Sequence, residues 1–148
     1  MTLGEILARP LASIIVESGW KPDLLVPVPL GAAHQSQRGY NQAALLGRPV
    51  ALANGIYYTT RALHKVRETP PQVGLKYNER FQNVADAFQA ESKIVSGRNI
   101  IVVDDVTTSG ATMEACADAL MAAGARNIYG LTLARSSYQM GGYFIGNT

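Results

Sequence analysis

Asp104 and Asp105 stand side by side directly after the apolar run Ile100-Ile101-Val102-Val103, and Val106-Thr107-Thr108-Ser109-Gly110-Ala111-Thr112 follows them. A buried strand that ends in two carboxylates, continued by small hydroxylic residues and glycine into a helix, suits ligand binding at the carboxyl ends of the strands of an open α/β sheet. The first turn of such a helix offers N–H groups without intrahelical acceptors and the positive end of the helix dipole. A phosphate can settle there and also accept hydrogen bonds from Thr108, Ser109 and Thr112. Gly110 lets the backbone approach the anion closely. Asp104 and Asp105, acceptors only when ionised, can hold the vicinal hydroxyls of a sugar whose phosphate lies in the loop. The chemistry implied is recognition of a phosphorylated ribose. Each piece alone also has a plainer explanation, since an Asp at a strand end is often a turn former and a Ser or Thr before a helix is often an N-cap. Their order favours the ligand.

The elements that must position these groups alternate along the chain. Leu3, Ile6, Leu7, Leu11, Ile14 and Ile15 recur at helical spacing, with Pro10 expected to kink the helix or begin a second segment. Leu24-Leu25-Val26-Pro27-Val28-Pro29 reads as a short buried strand whose prolines confine pairing to its first half. Arg38 to Asn54 has helical composition, weakened in its second half by Gly47 and Pro49, and Ile56 to Thr60 reads as a strand. Val66 to Asn83, with Arg67, Glu68, two consecutive prolines, Lys76, Glu79 and Arg80, reads as an exposed, mobile excursion. Asn99 to Val103 suits a strand buried on both faces. Met113, Cys116, Ala117, Leu120 and Met121 form an apolar helical stripe that stops at Gly124, and Ile128 to Ala134 supplies another strand. This alternation predicts an α/β fold, a mainly parallel central sheet flanked by helices, as one domain over residues 1–148. Residues 136–148 are aperiodic and receive no structural assignment.

Composition sets the outer limits. A chain of 148 residues has room for one ordinary domain, and 47% hydrophobic with 16% charged residues excludes disorder as its main state. Lys and Arg total 13 against 11 for Asp and Glu, scattered along the chain, which argues against direct nucleic-acid binding through a dense basic face. Cys116 is the single cysteine, so neither an internal disulfide nor a multi-cysteine zinc site can form, and its place on the helical stripe reads as core. Glu5 and Arg9 interrupt the N-terminal apolar stretch, and no run reaches the ~18 apolar residues of a membrane span. A soluble cytoplasmic protein with no membrane partner is expected. His34 and His64 have no metal-ligand spacing, read as surface or loop residues, and suggest no Ser/His/Asp triad.

Segment 100–112 resembles the 5-phosphoribosyl 1-diphosphate (PRPP) motif of type I phosphoribosyltransferases. Pro27-Val28-Pro29-Leu30, Arg38-Gly39-Tyr40-Asn41-Gln42-Ala43, and then Arg67, Thr69, Gln72, Leu75, Arg80, Asn83-Val84 and Ala87-Phe88 are similar to successive signatures of the ComF family of competence-associated proteins. The resemblance covers about Asp23 to Arg135. It implies that Asp104 and Asp105 face the ribose hydroxyls and that Thr108 to Thr112, including Ser109, Gly110 and Ala111, cradle the 5′-phosphate, with Thr107 at the loop entrance. It places Leu30 and Gly31 by the pyrophosphate, with Arg38 as an anion partner. Residues 66–88 would form a hood and flexible loop whose Arg67, Lys76 and Arg80 can reach a diphosphate, Arg80 joining the two acids as catalytic candidates. Two departures stand out. Relatives commonly begin with a cysteine-rich zinc-binding segment that this sequence does not show, so it looks like the transferase-like part alone, and Ser109 replaces the usual Thr with its hydroxyl kept.

The family's reaction sets charge requirements on the site. A nucleophile, usually a nucleobase nitrogen, displaces pyrophosphate from C1 of PRPP through an oxocarbenium-like transition state. Cations are needed around the departing diphosphate, from Mg²⁺ and basic side chains, and negative charge near the ribose. Mg²⁺ keeps several waters and often binds through substrate phosphates, so no direct protein ligand is expected. PRPP and a small-molecule acceptor are the expected partners, and a homodimer is compatible with the resemblance. Two other readings stay open: a non-catalytic module that binds PRPP or a nucleotide, and an accessory factor in DNA uptake.

Overall fold

The computed structural model describes residues 1–31, 40–70, 74–107, 110–135 and 141–147. Its first helix, α1 (Leu3–Ser18), starts in a capping box, the Thr2 hydroxyl accepting from the Glu5 N–H while the Thr2 N–H donates to the Glu5 carboxylate. It runs through Pro10 as one element rather than restarting there, held by the burial of Ala8, Leu11 and Ile15 on its inner face. Gly19, at φ 74°, ends it.

Strand β1 (Leu24–Pro27) is buried throughout, and helix α2 (Gln42–Asn54) follows. The helix begins at Gln42 instead of Arg38, which lies outside the described residues, because the Asn41 side chain caps it, accepting from the N–H groups of Ala43 and Ala44 at 2.9 and 3.3 Å. Gly47 and Pro49 do not break α2. Gly47 faces the sheet at close range, and a Cβ there would stand 2.8 Å from a methyl of Val103 and 3.0 Å from one of Leu25.

Strand β2 (Tyr57–Tyr58) is shorter than the sequence suggests. Beyond it the expected loose excursion is organised. Strands β3 (Leu63–Lys65) and β4 (Phe88–Ala90) pair antiparallel, with Lys65 opposite Phe88, and helix α3 (Tyr77–Val84) lies between them in sequence. The Arg67 guanidinium donates to the carbonyls of Asn83 and Ala85 at 3.0 and 2.6 Å, and the Asn83 amide donates to the Pro70 carbonyl at 2.9 Å, so polar side chains replace the apolar contacts this segment lacks. His64 lies on β3, at the surface, 3.7 Å from the Glu91 carboxylate. His34 falls outside the described residues.

After the short helix α4 (Ser92–Val95) come β5 (Asn99–Thr107), α5 (Ala111–Ala122), β6 (Asn127–Arg135) and β7 (Gly141–Asn147). The main sheet has the order β2-β1-β5-β6-β7, parallel except for β7. Strand β7 supplies structure for 141–147 within the tail 136–148 that the sequence leaves unassigned, the rest of that tail lying outside the described residues. Its glycines hide the alternation of a strand, yet they are needed for close packing: a Cβ at Gly142 would strike Trp20 and Ile14. Trp20 in turn stacks on Tyr129 at 4.6 Å, and Tyr129 meets Phe144 at 5.5 Å.

Side-chain alternation divides the core. Leu24, Val26, Ile100 and Val102 face α5 and the small sheet, packed with Met113, Cys116, Ala117 and Leu120. Leu25, Ile101 and Val103 face α1 and α2, packed with Leu11, Ile15, Leu46 and Val50. No helix among the described residues is long and apolar enough to cross a membrane.

The contact at Gly47 generates a prediction. In an open helix interior, glycine to alanine stabilises by about 1 kcal/mol through backbone entropy. Overpacking a filled core costs about 1–3 kcal/mol and should win here, so Gly47→Ala is expected to lower the thermal midpoint. A higher midpoint in calorimetry would show that helix and sheet are less tightly engaged at this position.

Candidate functional site

A cleft of about 230 Å³ opens at the carboxyl ends of β1 and β5. Pro29 and Leu30 form one side, the start of α2 at Asn41 to Ala43 another, and Lys65, Thr69, Pro70 and Phe88 close it from the small-sheet side. Asp104, Asp105 and Thr112 complete it. The acids lie inside β5 rather than just past its end, because the strand pairs with β6 as far as Thr107 opposite Arg135. Continuing the alternation of β5 sends Asp104 toward the α5 side and Asp105 toward the α2 side. Both reach the cleft.

Asn41 fixes the geometry of the neighbouring loop. While its carbonyl oxygen caps α2, its amide donates to the Val28 carbonyl at 3.0 Å. The Val28 N–H donates to the Val103 carbonyl at 2.9 Å, extending the β1–β5 pairing to the mouth of the site. Gly31, buried, lies against the Glu68 carboxylate, which occupies the space a Cβ would need.

The first acid is electrostatically unusual. Burial raises the Asp104 carboxyl well above the ordinary carboxylate range, and the side-chain hydrogen bond and charge of Asp105 push the same way. The Asp105 N–H, donated to Asp104 Oδ1 at 2.9 Å, opposes them. Across the cleft, burial lowers the pKa of the Lys65 ammonium, with Glu68 acting in the opposite sense, and its Nζ donates to Thr69 Oγ1 at 2.9 Å. Beneath both lies Cys116, whose thiol is raised well above its usual value by burial and by Asp104. It is fully buried core, as its helical spacing predicts.

Of the residues singled out from sequence, Asp104, Asp105, Thr112 and Leu30 line the cleft, and Gly31 follows directly on its rim. Gly110 and Ala111 open α5. Gly110 has φ 82° and a Cβ there would meet nothing, so the backbone conformation, not crowding by protein, demands glycine. Thr107 ends β5, while Thr108, Ser109 and Arg38 lie outside the described residues. Arg67, Lys76 and Arg80 are not among the described residues that line the cleft. Arg67 holds the hood together, the Arg80 Nε donates to the Leu75 carbonyl at 3.1 Å, and Lys76 caps α3 through its backbone N–H on Glu79. Lys65, Thr69, Asn41 and Phe88 were not selected as site residues from sequence. The signal for Lys65 was its place just before the expected excursion, on a strand too short for periodicity to reveal.

The Asp104 environment sets a pH dependence. With its pKa raised in the fold, the native state holds a proton that the unfolded chain releases, so this group's contribution to stability falls as pH rises from the ordinary carboxylate value through the raised one. Asp104→Asn keeps the acceptor for the Asp105 N–H and removes the buried charge. It is expected to melt above the parent protein at neutral pH, with the gap closing under acid conditions. A variant that melts lower at neutral pH, in paired thermal scans, contradicts this.

Comparison with known proteins places the site in context. The chain matches the phosphoribosyl transferase domain over residues 2–139. It is 35% identical over 115 residues to "DNA utilization protein YhgH" of Salmonella typhi, 36% over 117 residues to "Competence protein F" of Haemophilus influenzae and 32% over 114 residues to "Competence protein ComFC" of Bacillus subtilis. These matches cover 78%, 78% and 76% of this chain and 50%, 51% and 45% of the relatives, so the chain spans about half the length of each. Among solved structures, the glutamine PRPP amidotransferase of B. subtilis, complexed with ADP and GMP, superposes with a TM-score of 0.61 at 23% identity, covering 88% of this chain and 26% of that one. The adenine phosphoribosyltransferase of Thermoanaerobacter pseudethanolicus gives 0.56 at 19% identity, covering 89% and 68%. With a mainly parallel sheet, paired acids at its carboxyl edge and relatives that bear the competence names of the ComF family, the chain belongs to the phosphoribosyl transferase domain family, on its ComF branch.

Proposed function

We propose that this chain binds PRPP with Mg²⁺ and transfers its phosphoribosyl group to a small acceptor, a nucleobase nitrogen in the first instance, with release of pyrophosphate. The observation that carries the reading is the meeting of Asp104, Asp105, Thr112 and Lys65 in the lining of one cleft. Sugar hydroxyls would donate to the two carboxylates, and the 5′-phosphate would sit on the first turn of α5 beside the Thr112 hydroxyl. The diphosphate would extend past Leu30 and Gly31 toward Lys65, so the ammonium faces the oxygens that gain charge as the C1–O bond breaks. Asp104 and Asp105 would face the carbon that becomes electron-poor. The new C1–N bond forms as pyrophosphate leaves, and the acceptor nitrogen gives up its proton.

The donor set fits Mg²⁺ carried on the substrate. Among the described residues no group of three or more His, Cys, Asp or Glu could hold a metal ion, whereas the adjacent carboxylates of Asp104 and Asp105 offer oxygens to the waters of a hydrated cation. When bound, Mg²⁺ supplies charge neutralisation on the diphosphate. Burial keeps the proton on the Asp104 carboxyl, and an arriving cation or cationic sugar would favour its release, since either stabilises the ionised form.

A second reading, binding without transfer, draws on two observations. Arg67 and Arg80 are engaged by hood carbonyls rather than by the cleft, and relatives carry names tied to competence and DNA utilization, not to a base or nucleotide product. Isothermal titration with PRPP and Mg²⁺, paired with pyrophosphate release over a panel of nucleobases, separates the two. Binding with release supports transfer, binding without it supports the second reading, and no binding at millimolar PRPP removes both. Asp104→Asn combined with Asp105→Asn is expected to keep the fold and lose ribose recognition, and normal PRPP affinity in that variant would refute the assignment. Lys65→Met removes a charge-assisted contact worth about 1.5–3 kcal/mol, so PRPP affinity should fall roughly ten- to a hundredfold. Unchanged affinity would take Lys65 out of the site.

A further inference from the structure

A second cleft, of about 590 Å³, lies where α2 meets the edge strand β2, and no residue lines both clefts. Its volume is within the roughly 300–1,000 Å³ typical of small-ligand sites. Its lining is mixed in chemistry: Leu52, 83% exposed, Ile56 and Tyr57, 71% exposed, supply apolar surface, Arg48 and Arg61 supply two guanidiniums, Thr59 and Thr60 supply hydroxyls, and there is no carboxylate among the lining residues.

The Arg61 backbone N–H donates to Thr59 Oγ1 at 3.1 Å, forming a local turn where the chain leaves β2. Arg48 projects from α2 close enough to Tyr58 to lower the pKa of its phenol, which burial raises and which donates to the Ala44 carbonyl at 3.3 Å. Neither arginine forms an ion pair among the described residues. Two like charges with no carboxylate in the lining suit a doubly charged anion, and guanidinium matches phosphate in shape as well as charge. The exposed Tyr57 ring and Leu52 in the same lining offer an apolar seat of the kind on which bases stack. An acidic peptide would use the arginines but not that seat.

We infer that this cleft is a second binding site that takes a nucleotide, its phosphate held by Arg48 and Arg61 and its base against Tyr57 and Leu52. The inference does not rest on PRPP binding at the acid pair. The nucleotide can come as a free monophosphate or as a unit of a single strand, and the test separates these.

The full chain would be titrated with ethenoadenosine 5′-monophosphate and, separately, with a labelled oligo(dT) of about ten residues, within the site size of single-strand binders. The protein would be used as the parent, as Arg48→Ala with Arg61→Ala, as Arg48→Lys with Arg61→Lys, and as Asp104→Asn with Asp105→Asn. Expected is binding that falls at least about tenfold in the alanine pair, falls less in the lysine pair, which keeps charge but loses the planar fork, and persists in the acid-pair variant. The arginines are exposed, so the thermal midpoint should not move. Adenosine should compete less well than adenosine monophosphate. Saturation by the monophosphate assigns the free nucleotide, and saturation by the oligonucleotide alone assigns the strand. Binding that survives loss of both arginines, binding lost only in the acid-pair variant, or no binding of either probe at millimolar concentration would overturn the inference.

Discussion

Parallel pairing of β1 with β5, Leu24 opposite Ile100 through Pro27 opposite Val103, is the constraint on which the rest of the molecule depends. All of these residues but Pro27 are hydrophobic core, so a slip of one position would turn each side chain to the wrong face and exchange the surfaces that α5 and α2 recognise. The register ends where chemistry begins. On one strand the paired residues give way to Val28, Pro29 and Leu30, and on the other to Asp104 and Asp105. The backbone hydrogen bond from Val28 to Val103 and the side-chain hydrogen bond from the Asn41 amide to Val28 carry this order one step beyond the sheet, to the mouth of the cleft.

How much of this was legible in the chain depended on how much apolar surface each element buries. β5 and α5 bury continuous or regularly spaced residues, and both were readable from pattern alone, although the last turns of β5 extend through Asp104 to Thr107 because pairing with β6 tolerates polar residues at the sheet's end. The small sheet and α3 were not readable. Leu63 and Phe88 are the main apolar residues of their strands, and α3 is held by Arg67 and Asn83 reaching backbone carbonyls across many residues, which no local periodicity reports. Strand β7 was missed for the opposite reason: its glycines, which read as loop, are what lets it lie flat against Trp20. At the site, the acids and Thr112 could be found because they follow a strong strand signal, whereas Lys65 and Asn41 owe their place to tertiary contacts.

Charge at the site is arranged by depth rather than by number. Asp104 and Lys65 both lie where burial disfavours their ionised forms, while Arg67 and Arg80, expected to reach a diphosphate, donate to the hood's own carbonyls. Groups in such a setting respond strongly to an arriving ion of opposite sign, because there is little water to screen it. The hood, by spending its guanidiniums on carbonyls, keeps its shape without a large core.

The aromatic chain of Trp20, Tyr129 and Phe144 joins the loop after α1 to β6 and to β7. Trp20 and Ile14 lie far ahead in the sequence of the strand whose Gly142 they cover. During synthesis this side of α1 therefore waits for its partner until β7 has been made. Such distant contacts are slow to form and leave apolar surface open to aggregation in the meantime. Nascent chains halted before β7 would keep the stacking of Trp20 on Tyr129 but leave the side of the indole ring that meets Gly142 open to water.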